Sequence, residues 1–184
     1  MTRSFKLYAV SGSLRARSTN MALLRALQDN APAGVEIAIC DLIGTLPIFN
    51  PDDEGAATSA SVLEFAGQIA ASDGLIVSTP EYAHALPGGL KNALDWLVSR
   101  SEIPGKPMMI VHASHRGDMA LEALHEVLNT ISGAVCAEAF LRVPLLGRTE
   151  EEVAVRLAAP DLRADLSKAV GRFVSAIALT SDET

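Results

Sequence analysis

The chain predicts an α/β fold on a doubly wound, parallel five-stranded sheet, and three observations carry that expectation. Short apolar runs that end in polar turns recur at residues 5–10, 35–40, 74–78, 106–113 and 135–141. Between them lie longer stretches with helical spacing, so strands alternate with helices, and such connections between parallel strands are right-handed crossovers. The composition agrees: 49% of residues are hydrophobic but only 4% are aromatic, so the core rests on closely packed Ala, Leu, Val and Ile.

The elements follow in order. After the first strand, residues 11–20 form a polar loop leading into a helix whose apolar positions are Met21, Leu23, Leu24 and Leu27, with Ser18, Thr19 and Asn20 at its start. Residues 31–34 break this helix before the second strand, and residues 41–55, with Pro47 and Pro51, read as an exposed loop. Val62, Phe65, Ala66 and Ile69 share the face of a second helix that leads to the buried-looking strand at 74–78. Residues 79–89 hold too much Pro and Gly to extend either neighbour, and Leu90, Leu94 and Leu97 then align on a third helix over 90–98. Trp96 caps that side of the core or serves a partner surface. The strand at 106–113 turns through residues 114–118 into a helix carrying Leu121, Leu124, Leu128 and Ile131. A turn at Ser132 and Gly133 precedes the strand near 135–141, and Leu162, Leu166, Ala169, Val170, Phe173, Val174 and Ile177 stripe a closing helix. No repeat, low-complexity tract or linker divides the chain, and 184 residues enclose a sizeable core, so residues 1–184 are read as one domain.

Composition narrows the function classes. With 22 acidic against 15 basic residues, the net charge of -7 and the lack of a basic run disfavour a nucleic-acid surface, though local arginines can still hold an anion. Cys40 and Cys136 stand far apart without metal-ligand spacing, which disfavours a disulfide scaffold or a metal site and reads as two buried apolar residues. The start of the chain turns at once into an alternating strand instead of a leader peptide, and no apolar run reaches spanning length, so the expectation is a cytoplasmic protein without membrane contact.

Two loops carry chemistry. Residues 11–20 join a strand to a helix, where backbone amides at the helix start point toward a bound anion. Gly12 permits a close turn, Ser13, Ser18 and Thr19 offer hydroxyls, and Asn20 offers an amide. Arg15 is the preferred phosphate anchor because its planar fork pairs with phosphate oxygens; Arg17 is the second choice. The plain alternative is that Ser18 only caps the helix while Arg15 faces solvent. The segment has neither the G-x-G-x-x-G spacing of a dinucleotide site nor the G-K-[ST] end of a P-loop, and Asp41 reads as a turn residue.

Residues 78–96 join a buried strand to an amphipathic helix through a restricted loop. Pro80 and Pro87 limit the backbone there, and Gly88 and Gly89 permit close turns. A planar ring enters beside this loop, its polar edge read by backbone groups near Glu81, Tyr82 and Ala83, with Tyr82 covering part of it. Glu81 is taken as a loop hydrogen-bonding residue, not a general acid or base, and His84 either approaches the substrate face or stays an ordinary surface histidine. Lys91, Asn92 and Asp95 serve the next helix, with Asn92 a candidate anchor for the loop. At the end of the next strand, Ser114 and the Gly117 backbone complete the ring edge while Arg116 stabilises charge on the reduced ring or attracts a phosphorylated nicotinamide, against an alternative in which they form a solvated loop and Asp118 accepts backbone bonds at the helix start. No hydrolytic triad or catalytic metal set is visible among the scattered His, Ser and Asp residues.

With these residues in place, the chain resembles the NADPH-dependent FMN reductase family, which includes related quinone and chromate reductases. Gly12-Ser-Leu-Arg-x-x-Ser-x-Asn20 looks like the family phosphate loop, and Pro80-Glu-Tyr…Pro87-Gly…Leu90-Lys-Asn-Ala-Leu-Asp-Trp96 looks like its flavin-edge loop and following helix. The resemblance implies a flavodoxin-like sheet of order 2-1-3-4-5 with helices on both faces. It assigns the FMN phosphate to Ser13, Arg15, Ser18 and Asn20, and the ring edge to Pro80, Glu81 and Tyr82. It departs at Ala83, where the family often has Asn, and at residues 114–118, where the family often has a glycine-rich turn; a side-chain bond from Asn is therefore lost. It further implies a homodimer or homotetramer that takes hydride from NADPH or NADH and passes reducing equivalents to a quinone, azo compound, metal oxyanion or free flavin. The competing expectation is a non-enzymatic FMN electron carrier or flavin-binding regulatory protein.

Overall fold

Alternation along three strands decides how the sheet is covered. In the computed structural model, which describes residues 4–181, β1 (Phe5–Ser11) sends Leu7 and Ala9 to one apolar layer and Tyr8 and Val10 to the other. β3 (Gly74–Ser78) divides Ile76 from Leu75 and Val77 in the same way, and β4 (Met108–His112) divides Met109 and Val111 from Met108 and Ile110. With β2 (Val35–Ile39) and β5 (Leu141–Arg142) these strands form one five-stranded sheet in the order β2-β1-β3-β4-β5, parallel throughout. The order expected from the resemblance is the order observed.

Leu23, Leu24, Ala26 and Leu27 of α1 (Thr19–Asp29) cover the first face together with Leu162, Leu166, Val170, Phe173 and Ile177 of α6 (Pro160–Ser181). Val62, Phe65 and Ile69 of α2 (Ala60–Ala70), Leu90 and Leu94 of α3 (Gly88–Asp95), and Leu124 and Leu128 of α4 (Asp118–Ile131) cover the second. Among the described residues no helix is long and apolar enough to cross a membrane, and no group of three or more His, Cys, Asp or Glu is placed to hold a metal ion.

Several expectations need correction. The fifth strand is not continuous over 135–141: Val135 makes a single bridge to Met108, a 3-10 turn occupies Ala137–Ala139, and only Leu141 and Arg142 pair with β4. A helix that sequence reading passed over, α5 (Glu150–Ala158), precedes α6; Thr149 and Glu152 close a reciprocal capping box at its start. The loop at 41–55 is not wholly exposed, because Ile43 and Leu46 are buried and the carbonyl of Pro47 accepts from both Asn92 Nδ2 (2.9 Å) and Trp96 Nε1 (2.8 Å). Trp96 is thereby a core residue, only 1% exposed, and Asn92 anchors this loop instead of the one at 79–89. Cys40 is buried as expected, whereas Cys136 is half-buried beside Glu138. The expected leader-free start falls in part on residues 1–3, outside the described residues.

Candidate functional site

Three parallel strands end side by side, and their loops build one cleft. β1 stops at Ser11, β3 at Ser78 and β4 at His112, so residues 12–18, 79–87 and 113–117 all leave from the C-terminal edge, around the point where the strand order reverses. Gly12 binds the first two loops together: its amide donates to the Ser78 carbonyl at 2.7 Å, and a Cβ at this position would lie 2.6 Å from Thr79 Oγ1 and 2.9 Å from Leu90 Cδ2. The resulting cavity of about 1270 Å³ is lined by Ser13, Arg15, Ser18, Asn20, Pro80, Glu81, Tyr82, Ser114, Arg116 and Gly117. Of the expected site residues, Ala83 alone stands outside this lining, although its neighbours Tyr82 and His84 belong to it.

The first loop gathers hydrogen-bond donors at the start of α1. Ser18 caps α1, its Oγ accepting from the Met21 amide at 3.3 Å, which leaves the hydroxyl proton to donate elsewhere. The amides of Thr19 and Asn20 precede the first helical bond, Ala22 N to Ser18 O at 2.9 Å, so neither has a partner within the helix. Ser13 is buried, while Arg15 and Arg17 are exposed along the rim. Arg17 pairs with Glu150 at 3.1 Å. The Asn20 side chain fastens the start of α1 to the end of β3, since its Oδ1 accepts from Ser78 Oγ at 2.9 Å with both residues buried. Six arginines (15, 17, 25, 116, 148 and 163) face three carboxylates (Asp29, Glu81 and Glu150) around the cleft, so the lining is locally positive in a chain of net charge -7.

The second loop closes on itself. Tyr82 and Ala85 exchange both backbone bonds at 3.0 Å, and between them Ala83 (φ 50°) and His84 (φ 61°) are both left-handed, as in a type I′ turn. The expectation that backbone groups of residues 81–83 read a ring edge therefore narrows, because the amide and carbonyl of Tyr82 are already engaged. Tyr82 stays 46% exposed at the cleft. Glu81 takes the loop-bonding role expected of it: Oε2 accepts from the Ala120 amide at 3.0 Å in the first turn of α4, and Oε1 lies 3.3 Å from His84 Nδ1.

The third loop is shaped by Gly117, left-handed at φ 98° as the N-cap of α4, and by Ser114, whose Oγ accepts from the Arg116 amide at 3.0 Å. Asp118 pairs with Arg142 of β5 instead of accepting backbone bonds, and the guanidinium holds its carboxyl below the usual aspartate range. Sequence reading missed two parts of the site. His112 is a polar residue that ends an apolar strand, 1% exposed beneath the cleft. Residues 147–150 at the start of α5 form a rim, announced in the sequence only by the Thr149-x-x-Glu152 cap. The assembled site offers anion donors at one end and room for a flat group between two restrained loops at the other.

Comparison with known proteins agrees with this geometry. The family model described as NADPH-dependent FMN reductase matches residues 5–144. A relative named NAD(P)H-dependent FMN reductase from Pseudomonas aeruginosa is 39% identical over 116 residues, 62% of this chain and 62% of that protein. A quinone reductase from Pseudomonas putida is 36% identical over 135 residues, 71% of this chain and 72% of its own. Among solved structures, the flavoenzyme NAD(P)H:(acceptor) oxidoreductase FerB from Paracoccus denitrificans superposes with a TM-score of 0.72 at 24% identity, covering 94% of this chain and 98% of that one.

Proposed function

This chain belongs to the NADPH-dependent FMN reductase family, and from that premise we propose that it oxidises NADPH or NADH and reduces a quinone, free flavin, azo compound or metal oxyanion by way of bound FMN. The flavin ring, when bound, supplies the hydride and electron chemistry, and the protein supplies position and local charge. The observation that carries the reading is the joining of two loops: the Gly12 amide on the Ser78 carbonyl holds the anion donors and the ring-edge loop on one cleft.

The residues present fit FMN on three counts. The volume of about 1270 Å³ admits a mononucleotide and leaves space for a second planar group beside it. In the proposed pose Ser13, Ser18, Arg15 and the amides of Thr19 and Asn20 take the phosphate, and the locally positive lining favours its charge. Pro80, Glu81 and Tyr82 border one edge of the ring, while Ser114, Arg116 and Gly117 border the other. No side chain is asked to act as acid, base or nucleophile. Residues 1–184 acting as one cytoplasmic domain, assembled as a homodimer or homotetramer, complete the proposal; exposed Met119 and Phe140 are apolar surface available for such an assembly.

Anaerobic mixing of the FMN-reconstituted protein with NADPH or NADH tests the reading. Bleaching of the flavin by either donor is the expected result. Bound flavin that neither donor bleaches, but that exchanges single electrons with a protein partner, would make this chain a carrier instead of an enzyme.

A further inference from the structure

His112 ends β4 under the cleft, and both of its ring nitrogens meet backbone carbonyls. Nδ1 lies 3.2 Å from the carbonyl oxygen of Thr79, which opens the second loop, and Nε2 lies 2.5 Å from that of Arg116 in the third. A carbonyl oxygen only accepts, and a neutral imidazole carries one N–H and one lone pair. The neutral ring therefore satisfies one carbonyl and turns a lone pair toward the other. Only the ring with both N–H groups donates to both loops.

We propose that His112 is a positioning residue whose doubly protonated ring pins the two ring-edge loops together, so that the grip on the flavin edge is tight at low pH and loosens as pH rises. The inference rests on the functional reading above for the identity of the flavin, but the pin itself is a property of the protein alone.

Packing around the ring supports this role. Gly117 approaches so closely that a Cβ there would lie 3.2 Å from both Cε1 and Nε2 of His112, and 3.3 Å from Glu81 Cβ. The third loop thus closes directly on the imidazole. The second loop is also tied to the first turn of α4 by the bond from the Ala120 amide to Glu81, and the imidazole adds one contact to each loop. The charged groups around it come from each neighbouring element: Glu81 from the second loop, Arg116 from the third, Asp118 from the start of α4, and Arg142 opposite His112 in the β4–β5 register. Asp118 is held low first by its bond from Arg142 and also by the charge of His112. The two carboxylates favour an imidazolium, while the two guanidiniums and the positive end of α4 oppose it. The pair of carbonyl oxygens rewards a second N–H, and that gain works against the cost of placing a charge where the ring is only 1% exposed.

Two measurements test the proposal. In the protein without flavin, nitrogen-15 labelling of histidine should show a His112 ring with two slowly exchanging N–H protons that loses one of them as pH is raised across the range in which the fold is intact. A ring with one N–H throughout would overturn the proposal, and this readout needs neither a variant nor FMN. Fluorescence titration with FMN over the same range should then compare the parent with His112→Gln, which keeps two donors on one nitrogen and does not titrate, and with His112→Leu. The phosphate of FMN titrates equally in all three, so the differences report the ring. Affinity of the parent should fall about tenfold relative to His112→Gln as pH rises, the size of one hydrogen bond. His112→Leu should bind more weakly than His112→Gln at low pH. Parallel pH profiles for parent and His112→Gln would overturn the proposal. If no form binds FMN at any pH, the functional reading fails, while the ring protons still decide the pin.

Discussion

Asn20 accepts the hydroxyl proton of Ser78 at 2.9 Å, with both side chains buried, joining the first turn of α1 to the last residue of β3 across 58 positions of sequence. Removing one partner strands the other. Asn20→Ala leaves the buried Ser78 hydroxyl without its acceptor and should cost roughly 1–3 kcal/mol. Asn20→Ala combined with Ser78→Ala removes both groups and should cost less than the sum of the two single changes. Urea unfolding of the three variants against the parent measures the coupling, and strictly additive losses would show that this bond is not what joins the elements.

Gly12 and Gly67 predict opposite responses to the same substitution. At Gly12 a methyl would meet Thr79 Oγ1 at 2.6 Å and Leu90 Cδ2 at 2.9 Å, so the first loop must move off the second. Gly12→Ala should destabilise by roughly 1–3 kcal/mol and weaken FMN binding, because the two halves of the cleft separate. Gly67 lies within α2 with nothing within 4 Å of a Cβ, so Gly67→Ala should stabilise by about 0.5–1 kcal/mol. Unfolding midpoints and a flavin titration of both variants separate a crowded contact from a general cost of added methyls.

The turn at Ala83 and His84 predicts a gain. Both residues are left-handed, at φ 50° and 61°, in a two-residue connection that Asn-Gly fills most readily. Ala83→Asn with His84→Gly should raise stability by about 1–2 kcal/mol, less the small contribution of the exposed His84–Glu81 contact. Thermal and urea unfolding read the gain directly; an unchanged midpoint would mean that the turn is not strained in solution.

What the sequence made legible, and what it hid, follows from the range of the forces involved. The stripe of Val62, Phe65, Ala66 and Ile69 located α2 because burial of one face imposes a helical period on local sequence, and all four residues are buried. The strand at Gly74–Ser78 was read to the residue because a central parallel strand is apolar on both faces. The fifth strand was overextended, since β5 lies at the sheet edge and pairs through only Leu141 and Arg142, too few residues to mark a period. α5 was missed because a single buried residue, Val153, marks its apolar face, although its capping box stood in the sequence. The hydroxyls, amide and arginines of the first loop were read from residue types together with the family resemblance, and the structure brings Ser13, Arg15, Ser18 and Asn20 to one cleft. His112 was not legible, because its meaning lies in two carbonyl oxygens, 33 residues before it and 4 after, that no spacing rule connects.

The two arginines of the first loop separate by their partners. Arg17 already pairs with Glu150 at 3.1 Å, and both side chains are largely exposed, so this contact adds little to stability and draws the guanidinium toward α5. Arg15 lines the same cleft and has no ion pair among the described residues, which leaves its donors for an incoming phosphate. Arg15→Ala should therefore weaken FMN binding by roughly 10- to 100-fold, the loss of a charge-assisted hydrogen bond, whereas Arg17→Ala should change it by about twofold or less. Isothermal titration of the two variants with FMN decides the assignment. A parallel titration with riboflavin, which lacks the phosphate, should show no difference between Arg15→Ala and the parent. Equal losses with both ligands would place Arg15 at the ring and remove it from the phosphate.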